Sequence, residues 1–230
     1  PNRTMIYAPG KIVLAGEYAV LDGCPSVVLS INRGVKCLVQ DGKGIHTPNN
    51  DERFVIDALN EVKDQQRFVF SSWNPVENIN GHKPGFGSSA AACVASCLAA
   101  QKDPQSAFEI HKQVQGSASG VDIASSIHGG MIRYYRDSKS VDHLSPFSPL
   151  IIWSKRSAQT GSRVQKYNTY SERESFVKES TLLVEQFTQD PVEVSNHLFE
   201  LLCNMTKKSD IAYLTPEIED ICTIVRNCFG

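Results

Sequence analysis

The chain has 230 residues, 41% of them apolar and 21% charged, which suffices for one substantial core or two modest ones and argues against disorder as the default. Its formal charge of -2 gives no global attraction to nucleic acid or to acidic membranes, so any anion site has to be a local cluster of donors. The longest apolar stretches, residues 11–20 and 90–100, are too short and interrupted for a membrane span of ~20 apolar residues.

No secretory leader is apparent. The seven cysteines are odd in number and contain no C-x-x-C pair, which suggests neither a disulfide framework nor a zinc site. A reduced, cytoplasmic setting is expected, without membrane or nucleic-acid partners.

Residues 11–14 and 26–31 are short apolar runs rich in β-branched side chains and read as strands, with 34–40 as a weaker third. Asp41-Gly42-Lys43-Gly44 supplies a turn. Over residues 88–101 Ala91, Val94, Ala95 and Leu98 recur at helical spacing among strong helix formers. Asp103-Pro104 reads as the N-cap and first position of a helix reaching about Val114. A shorter helix from Asp122 to Ile127 should stop at Gly129-Gly130.

A strand over residues 131–135 and a polar, turn-rich stretch over 136–149 lead to the apolar run Leu150-Ile151-Ile152-Trp153. That run is taken as the start of a second domain, dividing the chain into 1–149 and 150–230. Beyond it the pattern is helical. Ser171 with Glu174 has the spacing of a capping box, and Asp190-Pro191 and Thr215-Pro216 open two further helices. Their apolar stripes hold Phe176, Leu183 and Phe187, then Val194, Leu198 and Leu201, then Ile218, Ile221 and Val225, and are assigned to packing.

The chemistry concentrates at Pro84-Gly85-Phe86-Gly87-Ser88-Ser89-Ala90-Ala91-Ala92. Glycines let backbone approach a ligand, and the following helix start aims free N–H groups and its positive dipole end at one spot. The G-K-[ST] ending of a Walker A loop is absent. The same residues also read as a plain glycine turn with serine caps.

Three stretches decide between these readings by resemblance. Pro84 to Ala92 resembles the P-x-G-x-G-S-S-A-A motif of GHMP kinases. Ala8-Pro9-Gly10-Lys11 with Ala15-Gly16-Glu17-Tyr18-Ala19-Val20 resembles the family's amino-terminal motif. Gln115-Gly116-Ser117-Ala118-Ser119-Gly120-Val121-Asp122 resembles the segment carrying its catalytic aspartate. The resemblance spans residues 8–164. It implies an α+β, two-domain fold, with an amino-terminal domain like ribosomal protein S5 domain 2 and a ferredoxin-like carboxy-terminal domain. It also implies a second glycine-rich loop of the G-A-G-G-G-D type, a pattern these residues do not contain.

The roles implied follow the motifs. Pro84, Gly85, Phe86, Gly87, Ser88, Ser89 and Ala90 would bind the phosphates of ATP, with Ser88 and Ser89 also offering hydroxyls to Mg²⁺. Asp122 would orient or deprotonate the acceptor oxygen and Lys11 would keep that carboxylate ionised. Without the motif, Asp122 reads as a helix N-cap and Lys11 as a surface charge. Lys83, Glu17, Tyr18, Ser119, Gly120, Trp153, Lys155 and Ala158 are the candidates around the acceptor, the last three because Trp153-Ser154-Lys155-Arg156-Ser157-Ala158 resembles the family's W-[ST]-x-x-x-A segment.

His111-Lys112-Gln113-Val114-Gln115-Gly116 resembles the H-x-x-x-Q-G segment of phosphomevalonate kinases, whereas mevalonate kinases typically place a metal-binding glutamate where His111 stands. The resemblance thus implies an ATP- and Mg²⁺-dependent small-molecule kinase, monomeric or homodimeric, with phosphomevalonate favoured over mevalonate. His111 by itself reads more often as surface or core filler than as a ligand. A catalytically silent sensor on the same fold is the alternative from another class.

Overall fold

The computed structural model describes residues 3–72, 84–116, 119–153, 160–211 and 213–229. A mixed sheet forms its centre. Strand β1 is Thr4–Ala15 and β2 is Ser26–Gln40, so the two runs expected between residues 26 and 40 are one continuous strand. Gly34, which reads as a break, instead lets two backbones meet: a Cβ there would strike the carbonyl of Ala8 and the backbone of Pro9 and Gly10. The β1–β2 register shifts between Ala8 and Gly10, so the Pro9 step faces an irregularity in β2.

One edge of β2 pairs with β1. Its other edge is divided. The carboxy-terminal half pairs with β4 (Arg67–Ser72), which also takes the short parallel strand β3 (Gly44–His46), while the amino-terminal half pairs with β5 (Met131–Tyr135), followed by β6 (Ser140–Leu144). Strand β6 lies in the stretch expected to be polar and turn-rich.

The helices in chain order are α1 (Ile56–Leu59), α2 (Ser88–Ala99), α3 (Ser106–Gln115), α4 (Val121–His128), α5 (Thr160–Asn168), α6 (Arg173–Gln186), α7 (Pro191–Lys208) and α8 (Pro216–Phe229). The two faces of the sheet carry different cores. Val28, Val35, Cys37, Phe68 and Ile132 pack with the small residues of α2 and with Val121 and Ile123 of α4. Val27 and Met131, one residue out of phase, join Tyr167, Phe176, Phe187, Val194, Leu198 and Met205 from α5 to α7 and their links on the opposite face. Adjacent residues buried on opposite faces explain why Val27-Val28 and Met131-Ile132 are continuous apolar pairs rather than alternating ones.

Helix α2 is buried nearly all round through Ala90, Ala91, Cys93, Val94, Ala95, Ser96 and Cys97. Small residues let it approach the sheet and α4 closely. Leu98, expected in its buried stripe, is 39% exposed, because a helix enclosed on several sides has no single apolar stripe to complete. The start of α3 lies a few residues later than expected, although Asp103 still accepts from the Gln105 amide at 2.9 Å.

The capping box expected at Ser171 does not form: α6 has Glu172 at its N-cap position and no side-chain cap. At α7 Asp190 does cap, accepting from the Glu193 amide at 3.0 Å. Leu202 rather than Leu201 is the buried residue of α7's last apolar turn. Among the described residues beyond Leu144 the chain is helical, and the strands of a ferredoxin-like domain are not among them. No helix among the described residues is long and apolar enough to cross a membrane.

Candidate active site

Strand β1 carries Lys11 to the rim of the sheet, where the strand touches the glycine loop. The Lys11 amide donates to the Phe86 carbonyl at 2.9 Å. Gly10 permits that approach, since a Cβ there would lie 2.7 Å from the same carbonyl oxygen. A backbone hydrogen bond thereby holds the loop at Phe86 against β1.

Asp122 arrives from another direction, in the first turn of α4. Gly120 precedes that helix at φ +83, and a Cβ on it would sit 2.6 Å from the Tyr134 hydroxyl and 2.8 Å from the Phe108 ring, so both conformation and space demand glycine. Two serines dock α4 on the strands. Ser126 Oγ donates to the Pro9 carbonyl at 2.8 Å, and Ser30 Oγ donates to the Ser125 carbonyl at 2.9 Å.

These constraints bring Lys11 Nζ within 3.1 Å of Asp122 Oδ1, with the two side chains 16% and 33% exposed. Asp122 is inside the helix, with Gly120 at the N-cap, so it is not a cap. Lys11 is paired and largely covered rather than a free surface charge. Gly87 lies over the pair: a Cβ on it would come 3.2 Å from Lys11 Cε and 3.5 Å from Asp122 Oδ2.

Gly87, at φ 76, is also the N-cap of α2 and supplies no side-chain cap. Ser88 and Ser89 are the first helical residues, so neither is the plain N-cap that the sequence allowed. Ser88 is exposed, while Ser89 Oγ lies 3.1 Å from His111 Nε2. The uncapped amides at this helix start and the open space beside Gly85, where a Cβ would meet nothing within 4 Å, leave room for an anion.

A cavity of about 270 Å³ opens beside the ion pair. Lys11, Asp122, Glu17, Tyr18, Ser119, Gly120, His111, Gln115, Arg163 and Tyr213 form its polar lining, and Val13, Val20, Leu21 and Val164 its apolar part. Tyr18 holds φ 58, a left-handed conformation costly for a bulky side chain, and its ring lies 5.5 Å from that of Tyr167. Burial pushes the Tyr18 hydroxyl's pKa up, opposed by the charge of Arg163 and a hydrogen bond from it.

Burial likewise pushes the Glu17 carboxyl up, against its own backbone amide and Lys11. Tyr213 is raised well above the ordinary tyrosine value, first by burial and then by Glu17 and Tyr18. His111, 3% exposed, is pushed below the ordinary histidine value by burial, with Asp122 opposing. Burial thus favours the neutral imidazole.

The structure thus gathers Lys11, Glu17, Tyr18, Ser119, Gly120 and Asp122 around one cavity; the residues from Pro84 to Ala90 do not line it, but Phe86 and Gly87 of that loop lie against Lys11 and Asp122. Trp153 is not among the described residues that line it, and its buried ring N–H finds no partner among them. Lys83, Lys155 and Ala158 lie outside the described residues. Arg163, which the sequence offers with Lys83, Lys155 and Arg156 as a cation for the acceptor's phosphate, lines the cavity, whereas Gln115 and Tyr213 were not singled out as site residues from sequence. Tyr213 comes from the helical half, where nothing local marks a residue as facing a cleft.

No protein-family model matches the chain. A phosphomevalonate kinase of Saccharolobus solfataricus is 28% identical to it over 215 residues, which cover 79% of this chain and 66% of that protein. The chain thus spans just under two thirds of that relative's length, and about half of the curated mevalonate kinases that it also matches.

Among solved structures, the mevalonate kinase of Methanococcus jannaschii superposes with a TM-score of 0.75 at 16% identity, over 100% of this chain and 85% of the other. A phosphomevalonate kinase of Streptococcus pneumoniae in complex with phosphomevalonate and AMPPNP superposes with a TM-score of 0.70 at 17% identity, over 89% and 80%. The chain thus shares the fold of these mevalonate and phosphomevalonate kinases, and over most of its length its sequence is similar to that of a phosphomevalonate kinase.

Proposed function

We propose that the chain is an ATP-dependent kinase of isoprenoid-precursor synthesis that phosphorylates 5-phosphomevalonate to 5-diphosphomevalonate. The observation that carries this reading is the Lys11–Asp122 pair, 3.1 Å apart, beneath a glycine loop whose helix start has no side-chain cap. Phosphoryl transfer needs positioning and charge stabilisation more than covalent chemistry. The loop amides hold the phosphates, Asp122 orients the acceptor oxygen through Oδ2, and Lys11 steadies that carboxylate and offsets charge on the acceptor.

The acceptor's phosphate has a second pKa near 6, so its attacking oxygen is largely anionic at neutral pH and needs cations more than a strong base. Lys11 and Arg163 both face the cavity, and the apolar lining suits a short hydrocarbon acid. Glu17, biased toward its neutral form by burial, weakens the repulsion that a second ionised carboxylate would exert.

The donors beside the loop also fit Mg²⁺, which keeps several waters and takes few protein ligands. Among the described residues no group of three or more His, Cys, Asp or Glu could hold a metal. The ion would therefore rest chiefly on nucleotide phosphates, with Ser88, Ser89 or Asp122 as oxygen donors, and supply charge neutralisation between donor and acceptor.

In the same reading the protein is cytoplasmic, a monomer or homodimer, and divided near residues 149 and 150. Mevalonate kinase is the second reading, favoured by the superposition on the Methanococcus jannaschii enzyme. Equal amounts of mevalonate and 5-phosphomevalonate offered with Mg-ATP separate the two. A higher kcat/KM for 5-phosphomevalonate is expected. Preference for mevalonate overturns the acceptor assignment alone, and no transfer to either acid overturns the kinase reading.

A further inference from the structure

His111 occupies a place that the phosphoryl-transfer scheme does not use. Its ring is almost wholly buried on α3, 5.5 Å from the Phe54 ring by centroid, with Asp122 the charged group felt from α4. Nε2 lies 3.1 Å from Ser89 Oγ, and Nδ1 is buried with no partner among the described residues. A neutral imidazole carries one N–H. If Nδ1 held it, a buried N–H would be orphaned, a state rarer in proteins than an under-satisfied acceptor.

We infer that His111 is a positioning residue: its Nε2–H donates to Ser89 Oγ, leaving the Ser89 hydroxyl proton to be donated to a phosphate oxygen of the nucleotide. Ser89 Oγ spends one lone pair on the imidazole, so its rotation is restricted and its remaining strong interaction is as a donor. The sequence offered Ser89 as an Mg²⁺ ligand; the hydrogen bond to His111 gives it the complementary task, recognition of an anion without a metal. The inference rests on the nucleotide-binding reading of the loop.

Two measurements test it. Long-range ¹H–¹⁵N correlation spectra of histidine-labelled protein, with the His111 signals identified by their loss in His111→Gln, should show a protonated Nε2 and a bare Nδ1. A protonated Nδ1 overturns the inference and leaves the kinase reading untouched.

The second is ADP binding in the presence of EDTA, where a metal ligand contributes nothing. Hydrogen bonds to charged groups are worth roughly 1.5–3 kcal/mol, so Ser89→Ala should weaken metal-free ADP binding roughly 10- to 100-fold. His111→Ala should weaken it by a similar factor, the double variant should bind no worse than either, and His111→Gln, whose amide N–H can replace Nε2–H, should recover most of the loss. Unchanged metal-free affinity in Ser89→Ala overturns the inference even if His111→Ala does not fold. Failure of the unaltered protein to bind ADP at all overturns the nucleotide reading and the inference with it.

Discussion

Helix α7 begins with Asp190, whose carboxylate accepts from the Glu193 amide at 3.0 Å, and with Pro191 at its first position. Helix α2 begins behind Gly87, which has no side chain to cap with and holds a left-handed φ of 76. Both starts expose amides that need partners. At α7 the chain supplies one from its own side chain, which stabilises the helix and ends the matter. At α2 it leaves the amides open, beside the Lys11–Asp122 pair and a cavity. The difference separates a helix start built for stability from one built to receive an anion.

The largest effect expected on this contrast is from Asp122→Asn, a nearly isosteric change that leaves the helix start as it is. Losing the carboxylate's role should lower kcat by about 10²–10⁴-fold with little change in ATP binding. Near-normal kcat would return Asp122 to a structural role. Lys11→Ala should approach the same loss and in addition raise the acceptor KM, because it removes both the partner of Asp122 and a cavity cation; unchanged kinetics would detach the ion pair from function.

Gly87→Val attacks the open helix start itself. A Cβ at that position crowds Lys11 and the left-handed φ disfavours a branched residue, so nucleotide affinity should fall at least about tenfold, by the ~1.4 kcal/mol that even a modest displacement of phosphate contacts represents. Full ATP affinity in a folded Gly87→Val protein would mean that the phosphates lie elsewhere. The smallest effect belongs to the closed start. Asp190→Ala should cost about 1 kcal/mol of stability, the usual worth of an N-cap, read as a lowered urea midpoint with kcat and KM unchanged. A kinetic effect there would erase the distinction between the two helix starts.

What could be read from the sequence follows the range of the forces involved. Helix α4, strand β5 and the Asp190-Pro191 start were legible because caps, glycine stops and apolar periodicity act within a few residues. The glycine loop, Lys11 and Asp122 were legible as motifs. Strand β6 was not, since Ser140–Leu144 carries a polar, weakly alternating pattern and is held by its ladder to β5. The 15-residue run of β2 was hidden by Gly34, whose reason lies across the sheet in Ala8 and Pro9.

The same division holds at the site. The sequence by itself determined which residues could do chemistry, because glycine freedom, helix-start amides and a lysine in an apolar strand are properties of single positions and short runs. The tertiary structure decided which of them meet. That Lys11 pairs with Asp122 across 111 residues of chain, that Arg163 and Tyr213 reach the same cavity from the helical half, and that His111 is buried against Ser89 depend on packing two cores on opposite faces of one sheet. No short-range pattern encodes such contacts, since they are fixed by the sum of long-range burial rather than by any residue's neighbours in sequence.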